Sequence, residues 1–406
     1  MCSNIIPEIK ATVLNRINPM EDVCEEKLSE LIDESLAEYG RRHCISALNR
    51  AEYRRILFND IKKLDILQEL LEDDNITEIM VNSWNSIYYE QSGRIYKWDK
   101  AFESEERLKE IVQRIAAASN KIINESVPVA DTRLADGSRV NVVMNPVAIE
   151  GPVITIRKFY DTPISIDRLI KIGSITEEAA DFLRKLVISK YNIFISGGTG
   201  CGKTTFLNAL SNFIPEDERV ITIEDSAELK LQKVQNLVRL EARSANIEGN
   251  NAIGIRDLIK TSLRMRPDRI IVGEVRGPEA IDMLQAMNSG HDGSMSTGHA
   301  NGDKDMMVRL ETMIMMGMDM PVSAIRGQIA SAIDIVVHLG RLRDKSRRVL
   351  SISEVVGFCD GDVSLRRLYE FEEEGEDGKG TIKGALKATG EIFGNTEKLR
   401  RAGISL

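Results

Sequence analysis

One short stretch limits the folds open to this chain more than any other: Ile193-Phe194-Ile195-Ser196-Gly197-Gly198-Thr199-Gly200-Cys201-Gly202-Lys203-Thr204-Thr205. Its apolar start reads as a buried strand, its glycines break that strand, and the residues from Thr204 to about Phe213 read as a helix. Gly197, four intervening residues and Gly202-Lys203-Thr204 fit a phosphate-binding loop, in which glycines free backbone N–H groups to face phosphate oxygens. The helix aims the positive end of its dipole at the same anion. In such a loop Lys203 bridges the β- and γ-phosphates and the Thr204 hydroxyl holds Mg²⁺. Gly197, Gly198, Thr199, Gly200, Cys201, Gly202, Lys203, Thr204 and Thr205 are therefore the first candidate contacts, with ATP and Mg²⁺ as the expected cofactors.

With 406 residues, 42% of them hydrophobic, the chain can bury a full core and is expected to form two or three domains. Its 54 basic and 63 acidic residues leave a formal charge of -9, which counts against nucleic acid and anionic lipid as direct partners. No apolar run approaches the roughly 18 residues of a membrane span, and Met1 to Met20 lack the apolar core of a signal peptide. A cytoplasmic protein is expected. Cys2, Cys24, Cys44, Cys201 and Cys359 stand singly, so neither a disulfide framework nor a structural zinc site is expected.

Residues 1–71 read as a helical segment, with Leu28, Leu31, Ile32 and Leu36, then Ile56, Leu57, Ile61, Leu64, Ile66, Leu67 and Leu70, at helical spacing. A surface-charged bundle or arm follows from that pattern. Residues 72–160 read as a small α/β domain: strands at Ile76 to Val81, Ile87 to Tyr89 and Arg94 to Trp98, a helix opened by Ser104, and a hairpin around Asp136-Gly137 that carries Arg133 and Arg139. Val153 to Phe159 closes the domain as a strand. Residues 161–173, with Asp161-Thr162-Pro163, read as a linker. Ser174 is expected to cap the next helix, with Glu177 completing a capping box. Residues 174–406 then repeat strand, loop and helix, with strands at Ile193 to Ser196, Val220 to Ile223, Arg269 to Val272 and Ser294 to Thr297. That alternation predicts a parallel sheet covered on both faces, the architecture of RecA-like ATPases. The Met-rich segment from Met306 to Met320 reads as core or as an adaptable subunit contact. Ile335 to Leu339 and Val349 to Val356 read as strands, Glu370 to Gly380 as a mobile loop, and the last residues as peripheral.

Ligands in such sheets sit beyond the carboxyl ends of the strands. Glu224 and Asp225, with Glu228 nearby, follow one strand; Gly273-Glu274 follows the next; His299 follows the third. Hydrolysis needs a carboxylate to orient water and acidic groups to hold Mg²⁺, so Glu224, Glu274, His299 and Lys203 are the catalytic candidates and Thr204, Glu274 and Asp225 the metal candidates. Gly273 stands where many phosphate-loop proteins place a Mg²⁺-binding aspartate, which throws that work onto the neighbouring acids. His291 and His299 fall in one short stretch without a third soft ligand for zinc; a γ-phosphate sensor suits His299, and His291 is a second candidate. Among the arginines, Arg239, Arg243, Arg133 and Arg139 are candidates to act across a subunit interface. A DNA-tracking motor and a non-hydrolysing, nucleotide-gated scaffold are the competing readings.

Ile221 to Leu229 resembles the acidic box of the ATPases that drive type II secretion, type IV secretion and type IV pili. Leu263 to Arg276 resembles their second nucleotide box, and the segments around His291 and His299 resemble their histidine box. Asp131 to Asn141 and Gly290 to Ser294 are most similar to the CpaF branch, which assembles tight-adherence (Flp) pili. The likeness runs from about Leu64 to Val356. It implies an α/β protein with a RecA-like P-loop core, a smaller N-terminal PAS-like α/β domain and a helical N-terminal segment. It implies a hexameric, cytoplasmic ATPase, peripheral at the inner membrane, whose partners are inner-membrane platform proteins of a pilus or secretion system, without direct nucleic acid. Glu224 is then expected to activate water, Glu274 to be the metal-linked carboxylate, His299 to sense the γ-phosphate, and Arg133 and Arg139 to close the site. Two departures stand out. Gly298 replaces a larger apolar residue, which is expected to loosen His299, and Cys201 replaces a small hydroxyl or glycine, which an exposed site would make sensitive to oxidation.

Overall fold

A computed structural model describes residues 5–17, 23–43, 45–119, 121–159, 164–243, 251–378 and 380–406. Cys2, Cys44 and the connector Asp161-Thr162-Pro163 lie outside the described residues, as do parts of the Met1 to Met20 stretch. The chain forms two units, Met1–Tyr160 and Asp161–Leu406.

The first unit opens with four helices, α1 (Ile5–Arg16), α2 (Glu25–Arg42), α3 (Ala47–Lys62) and α4 (Leu67–Glu72). Ile9, Val13, Leu28, Ile32, Leu36, Tyr53 and Leu57 bury one another there, so the segment is a packed bundle with its own core and not an extended arm. Next come β1 (Ile76–Ser83), β2 (Ser86–Gln91), β3 (Arg94–Lys97), α5 (Glu105–Ala118), β4 (Val129–Arg133), β5 (Arg139–Val143) and β6 (Val153–Arg157). The six strands form an antiparallel sheet in the order β3-β2-β1-β6-β5-β4. Helix α5 starts where the Ser104 hydroxyl accepts the Arg107 N–H at 3.2 Å. It lays Leu108, Ile111, Val112 and Ile115 against alternating sheet residues such as Ile79, Val81, Val140 and Ile154. Arg107 donates to Asp65 at 2.7 Å and pairs with Asp60 of α3, which ties the bundle to α5. Arg133 and Arg139 face each other across the β4–β5 hairpin.

The second unit runs α6 (Ile166–Lys171), α7 (Glu177–Ile188), β7 (Ile193–Gly197), α8 (Lys203–Ser211), β8 (Arg219–Glu224), β9 (Asn236–Glu241), α9 (Ile255–Ser262), β10 (Arg269–Val272), α10 (Glu279–Asn288), β11 (Met295–Gly298), α11 (Asp303–Met315), α12 (Val322–Ala332), β12 (Ile335–Arg341), β13 (Arg347–Cys359), β14 (Asp362–Glu376), β15 (Ile382–Ala388) and α13 (Glu397–Arg401). The sheet order is β15-β14-β13-β12-β7-β11-β10-β8-β9. From β12 to β9 the pairings are parallel, and β13, β14 and β15 extend the sheet antiparallel. Alternation along β7 sends Ile193 and Ile195 into one core with α7 and α8, and Phe194 into the other with α9 to α12. Helices thus cover both faces, as parallel strands require.

Several expectations are corrected here. Residues 370–376 are strand, paired with β13 and β15, not loop. The C-terminal residues are not peripheral, because Phe393 and Leu399 enter the first core and Lys398 binds Asp334 at 2.8 Å. Ser174 does not cap α7; its hydroxyl donates to the Arg347 carbonyl at 2.7 Å, and the helix begins after Thr176. Residues 166–171 of the expected linker are helical. Of the methionines, Met306, Met307 and Met313 are core, whereas Met315 and Met316 are exposed.

Candidate functional site

Parallel strands place their carboxyl ends in one row, and the row β8, β10, β11, β7 carries the chain's chemistry: Glu224, Gly273-Glu274, His299 and the glycine loop. The loop turns sharply at Gly197, where a Cβ would lie 2.4 Å from the Leu339 carbonyl oxygen. Only glycine lets the backbone come that close. Lys203, 7% exposed, folds its ammonium back over the loop, donating to Gly197 O at 3.1 Å, Gly198 O at 3.0 Å and His299 Nδ1 at 3.2 Å.

His299 is the hub of a polar chain. Its Nε2 lies 2.6 Å from Glu274 Oε1, Glu274 Oε2 accepts from Arg276 at 2.7 Å, and Arg276 stands 3.7 Å from Asp225. Burial holds the His299 pKa below the ordinary histidine value; Glu274 opposes that, and Lys203, Arg276 and Arg309 reinforce it. A neutral ring accepting from Lys203 at Nδ1 keeps its proton on Nε2, and although that nitrogen is close to Glu274 Oε1 the two are not aligned as a hydrogen bond, so Oε1 has no hydrogen-bond partner among the described residues.

Glu224, 3% exposed at the end of β8, accepts backbone N–H groups from Glu228 at 2.8 Å and Leu229 at 3.0 Å through Oε1. Among the described residues its buried Oε2 has no hydrogen-bond partner. Burial raises its pKa, against the two N–H groups that lower it. A carboxylate with one oxygen anchored and the other unbound in a buried spot suits holding and deprotonating a water. The glycine at 273 now has a cause: a Cβ there would sit 2.9 Å from Glu224 Cγ. The space an aspartate would fill on β10 belongs to the Glu224 side chain. Gly273→Ala is expected to cost about 1–3 kcal/mol of overpacking and to displace Glu224, seen as a lower melting temperature together with reduced ATP turnover. A variant that melts and turns over like the parent would show that Glu224 moves aside freely.

Thr204 and Thr205 begin α8 half-buried beside Lys203. Among the described residues no three His, Cys, Asp or Glu side chains cluster as a metal cage. The Thr204 hydroxyl at the start of α8 would be the side-chain group able to hold a Mg²⁺ brought by a nucleotide, where the ion would supply charge neutralisation. A cleft of about 670 Å³ opens beside Gly198 and Thr199, lined by His299, Arg276, Asn301 and Arg309.

Other candidates fall elsewhere. His291 precedes β11, at the end of the sheet away from the loop, where its Nδ1 lies 3.3 Å from Ala286 O; Asn192 ties Gly293 and Ser294 to the start of β7 at the same end. That position keeps His291 away from this chain's own glycine loop. Cys201 is 1% exposed within the first core, and burial raises its pKa, so it is no oxidation-prone surface thiol. Gly298 does not loosen His299: a Cβ there would meet Met306 at 2.9 Å and Phe194 at 3.1 Å, so the small residue allows tight packing beneath the histidine. Arg239, exposed on edge strand β9 opposite Thr222, lowers the Glu224 pKa by its charge. Arg243 donates to Asn251 O at 2.9 Å. Arg133 and Arg139 belong to the first unit. Two side chains were not legible beforehand: Arg309, whose charge acts on His299 from α11, and His338, bonded at 2.8 Å to Ser196 beneath the loop.

Comparison with known proteins gives a family match, relatives and folds. A model described as "Type II/IV secretion system protein" matches residues 60–387. A protein of Mycobacterium tuberculosis provisionally named a conjugal transfer protein is 31% identical over 340 residues, covering 82% of this chain and 96% of that one. The type IV secretion system protein PtlH of Bordetella pertussis is 32% identical over 315 residues, covering 71% of this chain and 93% of its own. The pilus retraction motor PilT, solved with bound ADP, superposes with a TM-score of 0.51 at 16% identity, over 84% of this chain and 88% of that one. That last likeness is one of fold.

Proposed function

Because the chain belongs to the type II/IV secretion system protein family, we propose that it is an ATP hydrolase whose turnover drives a secretion or pilus machine. The observation that carries this reading is the linked set Lys203–His299–Glu274, with Glu224 lying across Gly273. In the proposed reaction the loop and Lys203 hold the β- and γ-phosphates, and Thr204 orients the Mg²⁺ that neutralises phosphate charge. Glu224 takes the proton of the attacking water at its free oxygen. His299, now bonded to Lys203, reports on the γ-phosphate by exchanging that partner, and passes the change through Glu274 and Arg276 to Asp225.

The working form is a ring of six copies at the inner face of the cytoplasmic membrane, held there by platform proteins; no helix of the described residues is long and apolar enough to cross a membrane. Arg133 and Arg139 of the first unit are the arginines offered to close a neighbour's site. Two loads fit. The Asp131 to Asn141 segment resembles pilus-assembly ATPases of the Flp type, whereas the curated relatives carry conjugal transfer and type IV secretion names. Affinity capture of the tagged chain from its native membranes is expected to recover a multi-spanning platform protein, whose identity separates the two loads. Recovery of none, together with DNA-stimulated hydrolysis that collapses with salt, would transfer the chain to the DNA-tracking class.

A further inference from the structure

The phosphate loop has two flanks in the sheet, because β7 lies between β11 and β12. Lys203 reaches toward His299 on the β11 side, which assigns that side to the β- and γ-phosphates. A nucleotide laid on the loop therefore sends its α-phosphate and nucleoside toward β12. That side is walled by a hairpin. Leu339 of β12 pairs with Gly197, so Gly340 and Arg341 continue past the end of β7 and alongside the loop before the chain turns back at Leu342 to Ser346.

The hairpin is strongly basic, and its charges sort by direction. Arg343 turns away to Glu373 and Glu376, and Arg348 to the Gly173 carbonyl. Arg347 turns to the loop: its Cδ is 3.7 Å from where a Cβ on Gly202 would stand, and its charge reaches Cys201. The Ser174 hydroxyl fixes its carbonyl at 2.7 Å. Arg341 is its cross-strand partner in register, so the two guanidinium side chains leave the same face of the hairpin.

Resting on the hydrolase reading above, we infer that Arg347, supported by Arg341, holds the α-phosphate end of the bound nucleotide from within the same subunit. This is a binding contact made equally in ATP and ADP, which distinguishes it from an arginine directed at the γ-phosphate. It also gives β13, which begins at Arg347, a direct mechanical link to nucleotide occupancy.

Titration calorimetry of the full chain with ADP and with a non-hydrolysable ATP analogue tests this. Arg347→Ala is expected to weaken both by the same factor, about tenfold, and Arg347→Lys to recover most of that loss while the nucleotide-free melting temperature stays put. Unchanged affinity for both nucleotides overturns the inference, as does a loss confined to the ATP analogue. A fall in nucleotide-free melting temperature that Arg347→Lys does not restore assigns Arg347 a structural role and also overturns it. A parent chain that binds neither nucleotide overturns the hydrolase reading itself; a parent that binds both, beside an unaffected Arg347→Ala, sinks this inference alone.

Discussion

Lys203→Ala is expected to bring ATP turnover below detection, a loss of at least about a thousandfold, in a chain that remains folded. The ammonium is the one side-chain charge that the loop itself carries, and it already sits among Gly197 O, Gly198 O and His299 Nδ1. Removing it costs the phosphates their counter-charge and cuts His299 off from the loop. Folding loses less. Helix α8 is anchored by Phe206, Leu207 and Leu210 in the first core, and each forfeited hydrogen bond is worth only about 0.5–1.5 kcal/mol. Phosphate release and circular dichroism on the same sample separate the two effects. A Lys203→Ala chain that hydrolyses ATP at the parent's rate would end the phosphate-loop assignment, whatever the remaining side chains do.

How far the residues revealed this in advance depends on whether a feature is local. A strand breaking into glycines, or an apolar strand followed by an acid, is contiguous in sequence, so the β7 loop and the ends of β8, β10 and β11 could be read directly. Contacts between strand ends could not. Nothing near Gly273 in the chain tells that Glu224, nearly fifty positions earlier, needs its space, and nothing near Arg347 tells that β12 carries it to the phosphate loop. The strand at residues 370–376 is hidden for another reason: its sequence is mostly glutamate, and within it only Phe371 packs against the first core, beside Leu386 of β15. Lys387 bridges Glu372 and Glu374 at 3.0 Å, and Arg343 takes Glu373 and Glu376, so ion pairs replace the apolar alternation that marks a strand. The C-terminal residues mislead similarly, because Phe393, beside an exposed Ile392, and Leu399 are sparse apolar residues in a polar stretch and reveal no period. His291 was placed by its proximity to His299 in sequence, yet a strand between them carries the pair to opposite ends of the sheet.

Glu224→Gln should separate chemistry from stability in opposite directions. The amide oxygen can still accept the Glu228 and Leu229 N–H groups, so the turn after β8 and the fit against Gly273 survive. Turnover is expected to fall by roughly 10²–10⁴-fold, because the variant cannot take a proton from water, while nucleotide affinity stays near that of the parent. Stability should not fall with it. Burial raises the folded-state pKa of Glu224 above its unfolded value of 4.5, so the native state binds more protons than the unfolded one between those two values, and the parent loses stability as pH rises through that window. At neutral pH the glutamine variant is therefore expected to melt at or above the parent, with the difference closing as pH falls toward 4.5. Melting curves across that range beside single-turnover rates at pH 7 check both halves. If the variant hydrolyses as fast as the parent, water activation has to pass to Glu274, whose Oε1 is likewise without a hydrogen bond among the described residues while Oε2 is held by Arg276.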